Sequence, residues 1–222
     1  MAIIKPFICV RPSLEKVDKI AALPYDVYDR AEAKRVVATN KESFLAVDRP
    51  ETAFSDETDM YSLEVYNHAK ELLESWKENG SLIKEDETCY FLYELTMNGR
   101  VQTGIVACAS IDEYLSGVIK KHENTRAEKE ADRIHHIDIC NTQTGPIFLA
   151  YRRKEAIADI IDKVKGGMPL YDFVAEDGIR HRVFRIADDA DKQAIENNFK
   201  EMNQIYIADG HHRAASAVKV GL

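Results

Sequence analysis

The sequence predicts an α+β protein in which a mixed sheet with hairpins packs against helices. Two observations favour this class over a doubly wound parallel sheet. Helical patterns alternate irregularly with strand patterns, and the turn pairs Asn98-Gly99 and Asp177-Gly178 each join two strand-like segments as a hairpin. The 222 residues suffice for one large domain or two small ones. We expect a single domain or two intimately packed subdomains, about 1–115 and 116–222.

The first eighty residues predict strands and helices in alternation. An apolar run with an edge-type proline predicts a strand over 3–10, and Asp29 predicts the cap of a helix over 31–38. The apolar residues 44–47 predict a second short strand. Thr58-Asp59 predict the start of the longest helix. Its apolar residues recur at three- and four-residue spacing from Tyr61 to Trp76, and Gly80 ends it.

The hairpin around Asn98-Gly99 has two possible registers. A two-residue loop would place the apolar residues of the two strands on opposite faces. A three-residue loop over 97–99 aligns Leu95 with Val101, and we expect this register. The rest of the chain predicts further helices and strands. They are a charged helix over 125–139, a strand over 146–151, a helix over 157–164, a hairpin over 170–186, a helix capped by Asp188, a strand over 204–208 and a final helix from Ala214.

Charge and composition exclude several classes of protein. A net charge of −8 disfavours a nucleic-acid partner, because phosphate backbones are repelled. Neither a signal peptide nor an apolar run of membrane-spanning length is present, so we expect a cytoplasmic protein without a membrane partner. Four scattered cysteines form no C-x-x-C pair, and we interpret them as buried thiols.

The strongest candidate site is the turn formed by Asp209, Gly210, His211, His212 and Arg213 between a strand and a helix. Such turns aim backbone N–H groups and the positive end of the helix dipole at one point, which suits phosphate. Glycine permits close approach, and histidine and arginine add side-chain donors. Two alternatives stay open: Asp209 caps the helix, or Asp209, His211 and His212 bind a metal ion with a fourth ligand.

A second candidate site begins at His122-Glu123. The zincin pattern fails because Arg126 stands where the second histidine is required. Glu123 lies where a strand-like segment turns towards a helix, a place from which its carboxylate can reach a pocket. Arg126, Lys129 and Arg133 share a helical face that either clamps a second anion or is simply solvated.

Further pocket candidates are Tyr25 and Asp26, in the proline-fixed turn 23–27, together with His122, Thr125 and Arg126. Turns also carry such residues for structural reasons, and that alternative stays open. We interpret His135, His136 and His181 as ordinary surface or core histidines.

These motifs, in this order, resemble an uncharacterised prokaryotic family, the domain-of-unknown-function family numbered ten-fifteen. The similarity spans nearly the whole chain. It is carried by residues 23–27, 43–45, 49–51, His122-Glu123 with Thr125, Lys129, Asp132 and Arg133, and 208–213. Members usually continue past the Asp-Gly-His-His-Arg segment, so we expect this chain to be the N-terminal part of a longer protein.

The Asp209–Arg213 turn also resembles the phosphate-binding turn of the ParB/sulfiredoxin superfamily, above all its free-serine kinase branch. That resemblance implies a ParB/sulfiredoxin-like element around the turn, Glu123 as the base on a hydroxyl, and residues 210–213 as the phosphate cradle. Two departures from the superfamily pattern narrow the range of functions that the resemblance implies. Histidine stands where sulfiredoxin chemistry needs cysteine, and no helix-turn-helix region for DNA partition follows the turn.

The sequence therefore predicts a nucleotide-dependent phosphotransferase acting on a small hydroxyl compound, with ATP or ADP and Mg²⁺ as cofactors. Glu123 and His212 are the expected catalytic residues, and no residue is assigned to a protein-bound metal ion. The expected partner is a small phosphorylated ligand. The alternative from another class is a non-catalytic module that binds a nucleotide or a phosphorylated metabolite.

Overall fold

A computed structural model describes all 222 residues and has the predicted α+β composition. The helices are α1 (Val17–Ile20), α2 (Arg30–Thr39), α3 (Leu45–Asp48), α4 (Leu63–Glu78), α5 (Ile111–Leu115), α6 (Ala127–Cys140), α7 (Glu155–Lys165), α8 (Asp189–Lys200) and α9 (His211–Gly221). The strands are β1 (Ile4–Lys5), β2 (Val10–Pro12), β3 (Leu82–Lys84), β4 (Tyr90–Met97), β5 (Arg100–Val106), β6 (Cys108–Ala109), β7 (Ile119–Lys120), β8 (Phe148–Ala150), β9 (Tyr171–Val174), β10 (Arg180–Ile186) and β11 (Ile205–Asp209). Short 3₁₀ helices cover Tyr25–Val27 and Pro50–Ala53.

The chain forms two compact units, and each is discontinuous in sequence. Unit 1 comprises Met1–Leu14, Lys84–His122 and Leu149–Ala208, and unit 2 comprises Glu15–Ile83, Glu123–Phe148 and Asp209–Leu222. The prediction was a single domain or two contiguous subdomains, whereas each of these units is built from three separate segments of the chain.

Unit 1 is built on a four-stranded antiparallel sheet with the strand order β5-β4-β10-β9. Its central strands bury Tyr90, Leu92, Phe184 and Ile186. A second sheet has the order β7-β11-β8, with β11 parallel to β7. Helix α7 packs on β10 and on α8, whose cap is the predicted Asp188.

The hairpin of β4 and β5 differs in register from the prediction. Met97 pairs with Arg100, so the loop has two residues and Thr96, not Leu95, lies opposite Val101. Both loop residues have positive φ, 50° for Asn98 and 78° for Gly99, as the favoured Asn-Gly hairpin turn requires. The local turn preference decides the register because β5 is an edge strand with no fully buried residue.

Unit 2 is helical, and α6 packs against both α4 and α9. The predicted stripe of α4 is buried at Val65, Ala69, Leu73 and Trp76. The helix begins after Ser62 rather than after Thr58-Asp59, which leaves Tyr61 exposed.

The start of α2 confirms the predicted cap. The Asp29 side chain accepts the Glu32 N–H at 2.8 Å, and the Glu32 side chain accepts the Asp29 N–H at 3.0 Å. The predicted strand over 44–47 is wrong, because Leu45–Asp48 forms the short helix α3. All four of its residues are buried, and a short run buried on every side carries no period that separates helix from strand.

Two further expectations concern membranes and cysteines. No helix is both long and apolar enough to cross a membrane. All four cysteines are free thiols, with Cys89 and Cys140 buried and Cys9 half-buried. Cys108 is exposed, so the prediction that all four are buried is wrong there.

Candidate functional site

The Asp-Gly-His-His-Arg segment forms the predicted turn between a strand and a helix. Strand β11 ends at Asp209, Gly210 takes the left-handed conformation with φ of 89°, and α9 begins at His211. A Cβ atom at Gly210 would lie 3.1 Å from Cζ of Arg213, so glycine also permits close packing. No side chain caps the first turn of α9, so its N–H groups can serve a ligand.

Arg213 holds the turn together from inside. Its side chain is only 7% exposed, and Nη2 donates to Oδ2 of Asp209 at 2.6 Å while Nη1 donates to the carbonyl of Pro146. Asp26 lies 3.9 Å from the same Nη2. The N-cap of α9 is Gly210, so the alternative in which Asp209 caps the helix is wrong. Arg213 therefore acts mainly as a positioning residue of the turn.

Glu123 lies beside the turn, although the two are far apart in sequence. Its Oε2 is 3.6 Å from Nδ1 of His211, whose ring is buried. The Glu123 side chain is 63% exposed. An exposed carboxylate thus lies beside a buried histidine at the start of α9.

His212 is oriented by the backbone that leads into α6. The N–H of Arg126 donates to its Nδ1 at 3.3 Å. When the ring is neutral, Nδ1 is therefore the acceptor and the proton resides on Nε2. His212 can thus offer an Nε2–H donor at the turn.

Thr125 and the backbone N–H of Arg126 have structural partners. Thr125 donates to Oε2 of the buried Glu130 at 2.7 Å. Hydrogen bonds from Lys219 and Thr125 lower the pKa of Glu130. Ser216 also donates to the Glu130 carbonyl at 3.1 Å, so these contacts fasten α9 to α6.

The three cations predicted to share a helical face differ in exposure. Arg126 precedes the helix and is exposed, as is Lys129, whereas Arg133 is buried. The three predicted cations therefore do not form one surface.

Tyr25 and Asp26 lie in the 3₁₀ helix that follows Pro24. The Arg133 guanidinium lies 4.2 Å from the centroid of the Tyr25 ring, and burial raises the pKa of Tyr25. Asp26 is 40% exposed and faces Arg213. Both pocket candidates in this turn thus lie against buried arginines of unit 2, Tyr25 against Arg133 and Asp26 against Arg213. His122, the remaining pocket candidate, is the exposed last residue of the middle segment of unit 1.

One further polar residue of this region is His136, which the sequence predicts only as an ordinary surface or core histidine. The ring is fully buried, and Nε2 lies 2.8 Å from the Val47 carbonyl, which requires an Nε2–H donor. Burial, reinforced by Arg133, lowers the pKa of His136. A signal was present in the sequence. The buried face of α6 carries Glu130, Arg133, His136 and Cys140 at helical spacing, so three of its four residues are polar.

The possible metal ligands Asp209, His211 and His212 do not converge. Asp209 binds Arg213, His211 faces Glu123, and His212 accepts from Arg126. The turn therefore offers hydrogen-bond donors rather than a ring of free ligand atoms from these three residues.

Fold and site together define an α+β protein with a histidine- and arginine-rich turn at the start of a helix. The chain belongs to the family described as protein of unknown function (DUF1015), whose profile matches residues 4–222. No curated protein and no solved structure matches the chain. The resemblance of the turn to the ParB/sulfiredoxin superfamily stays a prediction.

Proposed function

We propose that this protein is a phosphotransferase that moves a phosphoryl group from ATP or ADP, bound with Mg²⁺, to a small hydroxyl compound. One observation carries the proposal. The Glu123 carboxylate lies 3.6 Å from His211, at the turn where α9 presents its first N–H groups. A proton acceptor and an anion-binding helix start thus occur side by side, as phosphoryl transfer requires.

Three features of the turn support phosphate binding. The first turn of α9 has no side-chain cap, so backbone N–H groups and the positive helix end face the ligand. His212 adds an Nε2–H donor, because Nδ1 accepts from Arg126. Arg213 keeps this geometry in place through Asp209 and Pro146. Mg²⁺ would be carried on the phosphate oxygens and would neutralise charge on them.

Glu123 is proposed as the general base. The acceptor oxygen attacks the terminal phosphorus, and the bond from that phosphorus to the bridging oxygen of the leaving nucleotide breaks. The acceptor proton passes to the Glu123 carboxylate and then to solvent. The 63% exposure of Glu123 supports this role, since the carboxylate is accessible to both substrate and water.

The test compares Glu123→Gln with Glu128→Gln, an exposed glutamate on the first turn of α6. Nucleotide binding is measured by calorimetry with Mg²⁺, and turnover is measured with a panel of small hydroxyl compounds. We expect Glu123→Gln to retain affinity and lose turnover by about 100-fold or more, because the general base is gone. Glu128→Gln should retain both. If wild-type protein binds neither Mg-ATP nor Mg-ADP, the proposal fails.

A second candidate function is a non-catalytic module that binds a nucleotide or a phosphorylated metabolite. It is favoured by the uncapped start of α9, whose N–H groups can bind an anion without any role for Glu123. In this case Glu123→Gln leaves both ligand affinity and biological activity unchanged.

A further inference from the structure

A small recess in unit 2 lies next to the turn. Its walls include Tyr25, Arg133, His136, Gly145 and Arg213. With room for about one water molecule, about 10 Å³, it admits one oxygen-sized group. Two buried side chains in its wall carry nitrogen atoms without a hydrogen-bond partner.

The first of these atoms is Nδ1 of His136, a fully buried residue. The other ring nitrogen donates to the Val47 carbonyl at 2.8 Å and therefore holds the proton of the neutral ring. Nδ1 consequently presents a lone pair, and it can only accept a hydrogen bond.

The second atom is Nε of Arg213, whose side chain is only 7% exposed. The terminal nitrogens are engaged with Asp209 and Pro146, which leaves the Nε–H as the unused donor. Gly145 permits the backbone to pack closely against this arginine, because a Cβ atom there would lie 3.0 Å from Cδ of Arg213.

A recess with one acceptor, one donor and space for a single oxygen selects among chemical groups. A carboxylate only accepts and would leave His136 without a donor, whereas an ammonium group only donates and would leave Arg213 without an acceptor. A hydroxyl group both donates and accepts. A water molecule does so too, and a ligand hydroxyl can replace that water when its bonds are reproduced.

We propose that this recess binds one hydroxyl group of the ligand held at the turn, donating to Nδ1 of His136 and accepting from Nε of Arg213. The inference rests on the proposed function, because it specifies a feature of the ligand of the same site. The hydroxyl belongs either to the ribose of the nucleotide or to the acceptor compound. His136 is a recognition residue here, and Glu123 remains the base.

The experiment uses the full chain and two kinds of probe. Affinities of Mg-ATP, Mg-2′-deoxy-ATP and Mg-3′-deoxy-ATP are measured by calorimetry. In parallel, ¹⁵N NMR of histidine-labelled protein records the Nδ1 resonance of His136 with each nucleotide and with glycerol, a hydroxyl source without phosphate. The NMR measurement needs no variant, so it remains decisive if a substituted protein does not fold.

The test variant is Gly145→Ala, which puts a methyl group against Arg213 at the recess. Gly104→Ala is the matched control, because a Cβ atom there meets nothing within 4 Å. We expect one deoxy analogue to bind about tenfold more weakly than Mg-ATP to the wild type and to Gly104→Ala. In Gly145→Ala this difference in affinity between Mg-ATP and the deoxy analogue, called the affinity gap below, should disappear.

The outcomes separate this inference from the proposed function. An affinity gap that closes in Gly145→Ala supports a ribose hydroxyl in the recess. Equal affinities with a glycerol-induced shift of the His136 resonance support a hydroxyl of the acceptor. A glycerol shift without any nucleotide binding removes the proposed function and keeps the hydroxyl site. An affinity gap that persists in Gly145→Ala overturns the inference. Equal affinities together with an unmoved His136 resonance also overturn the inference. Nucleotide binding in that case would still support the proposed function.

Discussion

One buried polar cluster in each unit shows a different way of placing polar groups in the interior. In unit 1 the sheet buries an acid, Glu94, with no exposed side-chain surface, and Lys165, Arg182 and Thr103 all donate to it. In unit 2 the helices bury bases, Arg133, His136 and Arg213, around a recess. Both carboxylate oxygens of Glu94 have partners, whereas Nδ1 of His136 and Nε of Arg213 have none.

The difference separates a structural cluster from a candidate binding site. A buried polar group costs free energy unless it is hydrogen-bonded, so protein interiors leave few such groups unsatisfied. Glu94 is fully hydrogen-bonded within the protein, so its cluster has a structural role and needs no ligand. Unsatisfied nitrogens at the wall of a recess indicate that a water molecule or a ligand group forms hydrogen bonds with them in unit 2.

The largest expected effect tests the Glu94 cluster. Glu94→Ala leaves two cations without their shared acid, and we expect a loss of about 3 kcal/mol in the free energy of unfolding. The control is Glu87→Ala. Glu87 is more than half exposed, and its bond to Arg185 should be worth less than about 1 kcal/mol. Urea unfolding measures both, and equal losses would remove the distinction between the units.

The same cluster predicts a dependence on pH. Burial by itself would raise the pKa of Glu94, but the bonds with Lys165 and Arg182 outweigh it and the pKa is lowered. The cluster therefore contributes stability above the unfolded-state pKa of about 4.3, and that contribution is lost as the pH falls through the folded-state pKa.

Glu94→Gln should consequently flatten the acid limb of a plot of unfolding free energy against pH. Urea titrations between neutral and acidic pH measure the slope. An unchanged slope in the variant would show that other carboxylates govern the acid sensitivity.

A smaller effect compares two glycines with positive φ, one in each unit. Ala at Gly99 or Gly210 pays about 1–2 kcal/mol for the left-handed conformation. At Gly210 the new Cβ also lies 3.1 Å from the Arg213 guanidinium, whereas at Gly99 nothing is within 4 Å.

We therefore expect Gly210→Ala to destabilise more than Gly99→Ala and to weaken nucleotide binding as well. Thermal unfolding with and without Mg-ATP measures both quantities. Identical behaviour of the two variants would show that the close packing at Gly210 does not matter.

The smallest effect compares helix caps. Asp29→Ala in unit 2 and Asp188→Ala in unit 1 each remove a side-chain acceptor at a helix start and should cost about 1 kcal/mol. Asp29→Ala should cost slightly more, since it also disrupts a reciprocal capping box. Urea unfolding gives the two values, and a reversed order would contradict the account of the α2 cap.

Local signals in the sequence predicted much of the fold. Asp29 and Asp188 were identified as caps because a cap depends on residues within one turn. Asp177-Gly178 likewise marked the hairpin of β9 and β10. The strand over 44–47 and the register at Asn98-Gly99 were wrong. Residues 45–47 are buried on every side, so their apolar pattern cannot separate a helix from a strand. The register at Asn98-Gly99 involves an edge strand, whose apolar pattern does not fix the pairing.

The site was predicted in part for a similar reason. The turn at Gly210 has a local signature of strand, glycine and helix, and its geometry agrees with that expectation. The partners of its side chains are not local. The contact of Glu123 with His211 and the packing of His136 against Val47 depend on how α6 lies against its neighbours, which no spacing in the sequence specifies.

The interleaving of the two units has a consequence for folding during synthesis. Unit 2 takes its last segment from residues after 208, and α9 packs on α6, which lies more than seventy positions earlier. The ribosome must therefore release nearly all of both units before unit 2 has its full set of helices. Contacts of such long range slow folding, so the helices of the first eighty residues should expose apolar surface for an extended time. Nascent chains stalled before residue 209 are thus expected to be the substrates of chaperones.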